Sequence, residues 1–417
     1  LVLLQIFLNL YLRSLPNLTN QQTLKKPSTL LLGFASGMSP FGMAIVVPTL
    51  ELFANEFQSS YSSIQFILSA YLFGLATAQP FMGFLSDKFG RKPVMVSGII
   101  LFIIASYICM TAESLSTLIA ARFLQGIGGS VGTVTSRAII RDSYSGDMAA
   151  KSLSRVTATM GMAPMIAPVV GAIALSLTGS PNGIFMVTLL IGFSILLPVI
   201  FYLPETVTKV DPERNQSSWY RNYYKLLRSE TFVGSTFIYG FTTGSFFAIL
   251  AVGSTVFSSD LGIESIGFGL IWSSLTILYA SASFFAGNLT ARLGLMKVLN
   301  MGVSINLAAG SLFALLIYLT GTNIYSVIFP LALMFFAHGF IVSMSMAKAV
   351  SDFPNIAGAS SGLSSSLGLV TGGLFSILSG SMYTGEFMPI AMIVWLSTCF
   401  CYLCFLMVRS GEQKKKG

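Results

Sequence analysis

The chain of 417 residues carries 9% charged residues against 54% hydrophobic ones, and its mean hydropathy is +0.78. Soluble domains hold about 25% charged residues, and a chain this apolar would present sticky patches to water, so its solvent is lipid. The net charge of +8 then speaks of topology and of contact with anionic lipid heads, not of nucleic-acid binding.

In lipid every backbone polar group must be satisfied within the chain, which leaves helices or closed barrels. Barrel strands are alternating segments of about 10 residues. The uncharged runs here are much longer and do not alternate, so the fold class is an all-α polytopic membrane protein.

In chain order, residues 1–26 open with LVLLQIFLNLYL, too short to span. This stretch lacks the basic start of a signal peptide. It reads either as an interfacial helix or as a mis-set start, and stays unassigned. At about 20 apolar residues per crossing, spans are expected at 27–50, 57–86, 93–112 and 114–136, the last interrupted by Arg122. A pair follows in 156–204, broken by the turn chemistry of Thr178 to Gly183. The polar stretch 205–230 reads as a cytoplasmic linker, with Tyr223 and Tyr224 beside Arg221, Lys225 and Arg228 suggesting a helix on the membrane surface. Beyond it come 231–259, 265–291, a pair in 298–347 broken at Thr320 to Asn323, then 353–385 and 387–408. Twelve spans result, in two six-helix pseudo-symmetric halves, 27–204 and 231–408, with a basic tail at 409–417. If the N-terminus is inside, the outer loops hold Glu51, Glu56, Glu113, Asp260, Glu264 and Glu386 and no Lys or Arg, so both termini are expected in the cytoplasm. Cys401-x-x-Cys404 lies in an apolar helix without polar neighbours and reads as packing.

Between spans 2 and 3 stands Gly83-x-Leu85-x-Asp87-Lys88-x-Gly90-Arg91-Lys92. After span 8, 287 − 83 = 204 residues later, stands Gly287-x-Leu289-x-Ala291-Arg292-x-Gly294. The glycines, the leucine and one cation recur in register; the acid does not. The halves therefore read as a duplication. On physical grounds Gly83 would let helices approach and Gly90 would permit a reversal. Asp87 would offset a helix end, while Arg91 and Lys92 would mark the inner side.

This loop resembles the signature of the major facilitator superfamily. Arg122-Phe-Leu-Gln125-Gly126 resembles the span-4 motif of that superfamily's drug–proton antiporters, and Gly161 to Ala172 resembles their span-5 motif, with Ala163 and Ala167 where glycines are common. Arg137-Ala-Ile-Ile-Arg141-Asp142, the double Ala-Pro and LPET at 203–206 point to the bicyclomycin-resistance branch. The resemblance implies a major facilitator fold and a monomeric, multi-pass transporter of the bacterial cytoplasmic membrane. It would export small, mostly apolar compounds against protons, with no cofactor beyond the proton gradient. It further implies that Asp87 contacts Arg91, Arg141 and the start of span 11 near Asp352 to Pro354, latching the halves in the outward-open state.

Arg122 lies deep in a span, where ionisable groups are expensive and functional by default; the alternative is an Arg snorkelling outward. Gln125, one turn on, shares its face, and by resemblance the pair faces the central cavity against span 1. Ala44 stands where the branch often has an aspartate, so the proton site is open. Glu51 could reach Arg122 or be a solvated helix end. His338 could carry the proton or pack. Polar-tipped side chains offered as cavity lining are Tyr71, Gln79, Tyr239, Trp272 and Tyr279, each equally explicable as core. Gly161, Pro164, Pro168 and Gly171 read as a bent, small-faced hinge in span 5.

Gly126-x-Gly128 with Gly132 has no preceding strand and is no dinucleotide loop. Gly128-x-Ser130-x-Gly132 and Gly358-x-Ser360-x-Gly362 match a serine-hydrolase pattern, but lie in small-residue helices without its strand context. An intramembrane serine hydrolase is the distant alternative. An importer or metabolite exporter of the same fold is the nearer one.

Overall fold

The computed structural model describes residues 27–144, 146–206, 219–353 and 356–416. The segment 1–26, residues 207–218 of the linker and Pro354 lie outside the described residues. The described residues form twelve long helices and a short linker helix. Helix α1 covers Thr29–Glu56, interrupted by a 3-10 turn at Val47–Thr49 that contains Pro48. The others of the first half are α2 (Tyr61–Phe89), α3 (Arg91–Met110), α4 (Leu115–Ser143), α5 (Gly146–Thr178) and α6 (Gly183–Tyr202). The linker helix is Trp219–Leu227. The second half comprises α7 (Glu230–Ser259), α8 (Ser265–Leu293), α9 (Leu295–Thr320), α10 (Ile324–Ser351), α11 (Ala357–Met382) and α12 (Met388–Lys416).

Both expected breaks are turns. Gly179 takes φ +66° between α5 and α6, and Gly321 takes φ +68° between α9 and α10. Asn323 and Ser326 then cap α10 reciprocally. The boundaries differ most from expectation in α5, which begins ten residues before 156, and α12, which runs through the expected tail to Lys416; α4 also runs past 136 to Ser143 and α1 past 50 to Glu56. Among the described residues eleven helices are long and apolar enough to cross a membrane. The twelfth, α4, carries Arg122, Gln125, Arg137 and Arg141, and is held instead by close packing. A Cβ on Gly128 would lie 2.5 Å from the backbone nitrogen of Phe102 in α3. Such close backbone approach is how helices associate in lipid, where burial of apolar surface drives nothing.

One end of the molecule carries the α2–α3 and α8–α9 turns, the linker helix and the end of α12; we call it the basic face. The opposite end carries Glu51, Glu113, Asp260 and Glu386 and is the acidic face. Towards the acidic face one apolar core runs through both halves, joining Phe53, Leu68 and Phe185 to Phe257, Trp272 and Phe335. Towards the basic face there are two separate cores. One holds Leu32, Met95, Phe102 and Val199; the other holds Val298, Val303, Ile341 and Phe405. The halves are closed together at the acidic face and part towards the basic face, leaving a central cleft.

Helices α2 with α11, and α5 with α8, make the seams between the halves. Proline chemistry supplies one of the joints. Pro80 has no N–H to return to Ala76 four residues back. The orphaned Ala76 carbonyl accepts from the Ser366 hydroxyl of α11, at 2.6 Å. Pro40 does the same within the first half, where the Ser36 carbonyl accepts from Thr133 of α4 at 3.3 Å. Three further bonds join the halves among the described residues: Gln65 of α2 donates to the Ala251 carbonyl of α7 at 2.8 Å, the Ser376 hydroxyl of α11 donates to Gln65 Oε1 at 3.4 Å, and the Ser273 hydroxyl of α8 donates to the Met165 carbonyl of α5. The linker helix touches both halves. Leu226 is buried with Phe232 and Ala349 of the second half, and the Tyr223 hydroxyl donates to the Pro80 carbonyl at 3.4 Å.

Candidate functional site

The signature loop builds a charged hub at the basic face. Gly90 takes φ +95°, a region closed to side chains, and turns α2 into α3. The Arg91 guanidinium is almost wholly buried. It pairs with Asp87 one turn back, its Nε donates to Asp142 of α4 at 2.9 Å, and its Nη1 donates to the Ser86 hydroxyl at 2.6 Å. Burying a guanidinium is tolerable only with such pairing. Glu205 completes the hub. Its two carboxylate oxygens accept the backbone N–H groups of Arg91 and Lys92, each at 3.0 Å, capping the positive end of α3. A Cβ on Gly90 would sit 2.7 Å from Glu205 Oε2.

Of the contacts the resemblance implies for Asp87, the pair with Arg91 is present. The Arg141 side chain is 58% exposed and stands 4.0 Å from Asp142. Asp352, before α11, is engaged with Lys348 at 2.8 Å and with the Thr231 hydroxyl at 2.7 Å. This arrangement accords with halves parted at this face. Gly83 is corrected: a Cβ there would meet nothing nearer than Val134 at 3.9 Å, so it is not a point of close approach.

Arg122 and Gln125 are fully buried inside the first half rather than facing the cleft, and Arg122 does not snorkel. Helix α1 breaks at Ala44, leaving its last carbonyls without intrahelical partners. Arg122 Nη1 donates to one of these, Gly42, at 2.9 Å, and its Nε donates to Ile67 of α2 at 3.2 Å. The guanidinium lies 4.2 Å from the Tyr71 ring centroid, and Nη1 also donates to Gln125. Gln125 in turn donates to Ser106 of α3 and Thr188 of α6. One cation thus ties α1, α2, α4 and, through Gln125, α3 and α6 around the α1 break.

Glu51 is not among Arg122's partners. It sits at the acidic face near Tyr383, whose phenol is pushed up first by burial and further by Asp260 and Glu51. Tyr71, Gln79 and Trp272, offered as cleft lining, are buried. The Tyr71 hydroxyl donates to the Ser39 carbonyl at 2.9 Å, and Trp272 packs among Phe246, Phe268 and Phe335. His338 is buried between α7 and α10, 3.4 Å from the Ser245 hydroxyl and stacked on Phe335. Tyr239 and Tyr279 are half-buried and in electrostatic range of each other. In α5, Gly171 packs on the Ile45 carbonyl of α1 and Pro168 meets Gly269 of α8, whereas a Cβ on Gly161 would meet nothing within 4 Å. The close-packed part of the seam is therefore the Pro168 end; Gly161 faces open space.

Three features escaped the sequence. Glu205 was read only as part of a terminal LPET signature, and its role needs the fold. Arg137 stands in the sequence only as part of the branch signature, yet it lies six residues inside the end of α4 and in range of Tyr239 on α7, in the other half. The second half has a hub of its own: Lys348 of α10, mostly buried, pairs with Asp352 at 2.8 Å and Glu412 of α12 at 2.6 Å.

Two six-helix bundles closed at one face and parted at the other, with a cleft between, define the architecture of a secondary transporter. The profile of the Major Facilitator Superfamily matches residues 32–377, and the chain belongs to that family. It is 27% identical over 400 residues to the bicyclomycin resistance protein homolog of Haemophilus influenzae, covering 95% of this chain and 100% of that one. It is 25% identical over 382 residues to multidrug resistance protein D of Escherichia coli, covering 90% and 94%. Among solved structures, a bacterial homolog to the human lysosomal transporter Spinster, inward-facing and occupied, superposes with a TM-score of 0.72 at 14% identity, covering 92% of this chain and 96% of that one.

Proposed function

We propose that the chain is a proton-driven exporter of small, mostly apolar compounds, working by alternating access in a bacterial cytoplasmic membrane as a monomer. The basic face and both termini lie in the cytoplasm, by the positive-inside rule. The observation that carries this reading is the pairing of one shared core at the acidic face with two separate cores at the basic face. That arrangement is an inward-open state with its substrate cleft open to the cytoplasm. The names of the relatives, bicyclomycin and multidrug resistance proteins, support drugs as cargo.

In this cycle substrate enters from inside while a proton binds from outside, and each favours the opposite opening. Closing the basic face brings the Asp87–Arg91–Asp142 hub towards α11. Asp87, with its side chain 47% exposed in the open state, then serves as the latch. The proton carrier is to be sought among Glu51 and His338.

Efflux from cells loaded with a fluorescent substrate tests the reading: collapse of the proton gradient by an uncoupler should stop it. Continued export refutes proton coupling, and accumulation on the cytoplasmic side of oriented vesicles refutes export. Asp87→Asn should cut transport at least about tenfold with normal expression and thermal stability, since Asp142 still neutralises Arg91 and the Asp87 carboxylate is half in solvent. Wild-type transport by this variant removes the latch.

A further inference from the structure

Arg137 combines two properties that seldom occur together. Its side chain is exposed, yet it stands on the face of α4 that carries Thr133, bonded to α1, and Val134, beside Gly83 of α2, with Tyr239 of the opposite half within electrostatic range. Solvent reaches the group and helices α1 and α2 flank its face, which describes the wall of a cavity. Opposite stands a cluster of hydroxyls. Tyr239 lies with its ring against Gly368 of α11 and with the hydroxyls of Thr243 and Ser365 near its own. Tyr279 of α8 lies within range of it. A guanidinium from the first half thus faces hydroxyls from the second across the cleft.

Among the described residues no carboxylate balances this cation at the same depth. Helix α1 has no acid before Glu51 at the acidic face, and α8 and α11 have none along their lengths. Asp87 and Asp142 are committed to Arg91, and Asp352 and Glu412 to Lys348. Glu230 stands at the first turn of α7, at the basic face. A guanidinium presents a planar fork of N–H donors and keeps its charge, so it selects for acceptors and against cations.

We propose that Arg137, with Tyr239 opposite, is the recognition point of the central cleft. It binds substrates through an anionic or carbonyl-type acceptor group and turns away lipophilic cations. This rests on the reading of the cleft as the substrate path, and it names the substrate class that path takes.

Equilibrium binding tests it without a proton gradient. Fluorescence anisotropy of fluorescein, an anion, and ethidium, a cation, is titrated with the purified full chain in detergent. Fluorescein should bind at least about tenfold more tightly than ethidium. Arg137→Gln should weaken fluorescein by about tenfold or more, the loss of one charge-assisted contact. Arg137→Lys should recover most of that affinity, and Arg137→Glu should reverse the order of the two dyes. Tyr239→Phe, which leaves the guanidinium in place, should give a loss of a few-fold and serves if Arg137→Gln fails to fold. No saturable fluorescein binding, ethidium bound as tightly as fluorescein, or unchanged affinity in Arg137→Gln each overturns the assignment. If binding behaves as expected while gradient-driven efflux fails, proton-driven export falls and the recognition point stands.

Discussion

At the basic face of the first half, Gly90 turns the chain with φ +95° and ψ 151°; in the second, Gly294 does so with φ +82° and ψ 153°. The backbones are near copies, and the charges around them are not. In the first half the buried cation is Arg91, the residue after the turn glycine, and Glu205 from the end of α6 caps the helix that follows. In the second the buried cation is Lys348 from α10, and Glu412 from the end of α12 pairs with that lysine instead. The two halves share the turn, which needs glycine on steric grounds. Their ion pairs are built from different helices. A turn is specified by one residue's conformational freedom, whereas a buried charge needs only some opposite charge within reach.

Paired substitutions, read as thermal unfolding in detergent, sharpen this contrast. The largest effect is expected from Arg91→Ala, which strands the mostly buried Asp142, at about 3–5 kcal/mol. Lys348→Ala should cost less, about 2–3 kcal/mol, because Asp352 keeps the Thr231 hydroxyl and Glu412 is more exposed and can turn to water. Equal losses would mean the two hubs are energetically interchangeable. Next come the glycines: Gly90→Ala should cost about 2–3 kcal/mol from backbone strain plus the contact with Glu205, and Gly294→Ala about 1–2 kcal/mol from strain alone. A larger loss at Gly294 would break the comparison. The smallest effects belong to the glutamates. Glu205→Gln weakens a helix cap and should cost about 1–2 kcal/mol; Glu412→Gln leaves Lys348 with Asp352 and should cost under about 1 kcal/mol. Reversal of that order would mean that the cap on α3 contributes little.

Much of the fold was legible because lipid makes charge rare. The uncharged runs, the turn at Thr178 to Gly183 and the echo at Gly287 to Gly294 gave the spans and the two halves directly. The site was less legible. In a soluble helix the buried face is marked by apolar residues, but here lipid-facing and core-facing positions are both apolar. Nothing in the pattern therefore told whether Tyr71 or Tyr239 faced the cleft, and only the latter is half-exposed. The hub was half-visible: Asp87 and Arg91 are four residues apart, whereas Glu205 reaches the same turn from the far end of α6. Arg137 was hidden for another reason. A cation near the inner end of a span satisfies the topology rule whether it sits in a loop or in a cavity wall, and charge counting cannot separate the two.

The joint at Pro80 also bears on how such a machine can move. The Ala76 carbonyl has no helical partner to lose, and the hydroxyl of Ser366 that meets it belongs to the other half. As the halves swing apart, an incoming water molecule can take the place of that hydroxyl on the same lone pair, and leave again on return. The imino acid thus turns a fixed rung of α2 into an exchangeable one, a bearing lubricated by solvent, where motion swaps partners and strands no polar group.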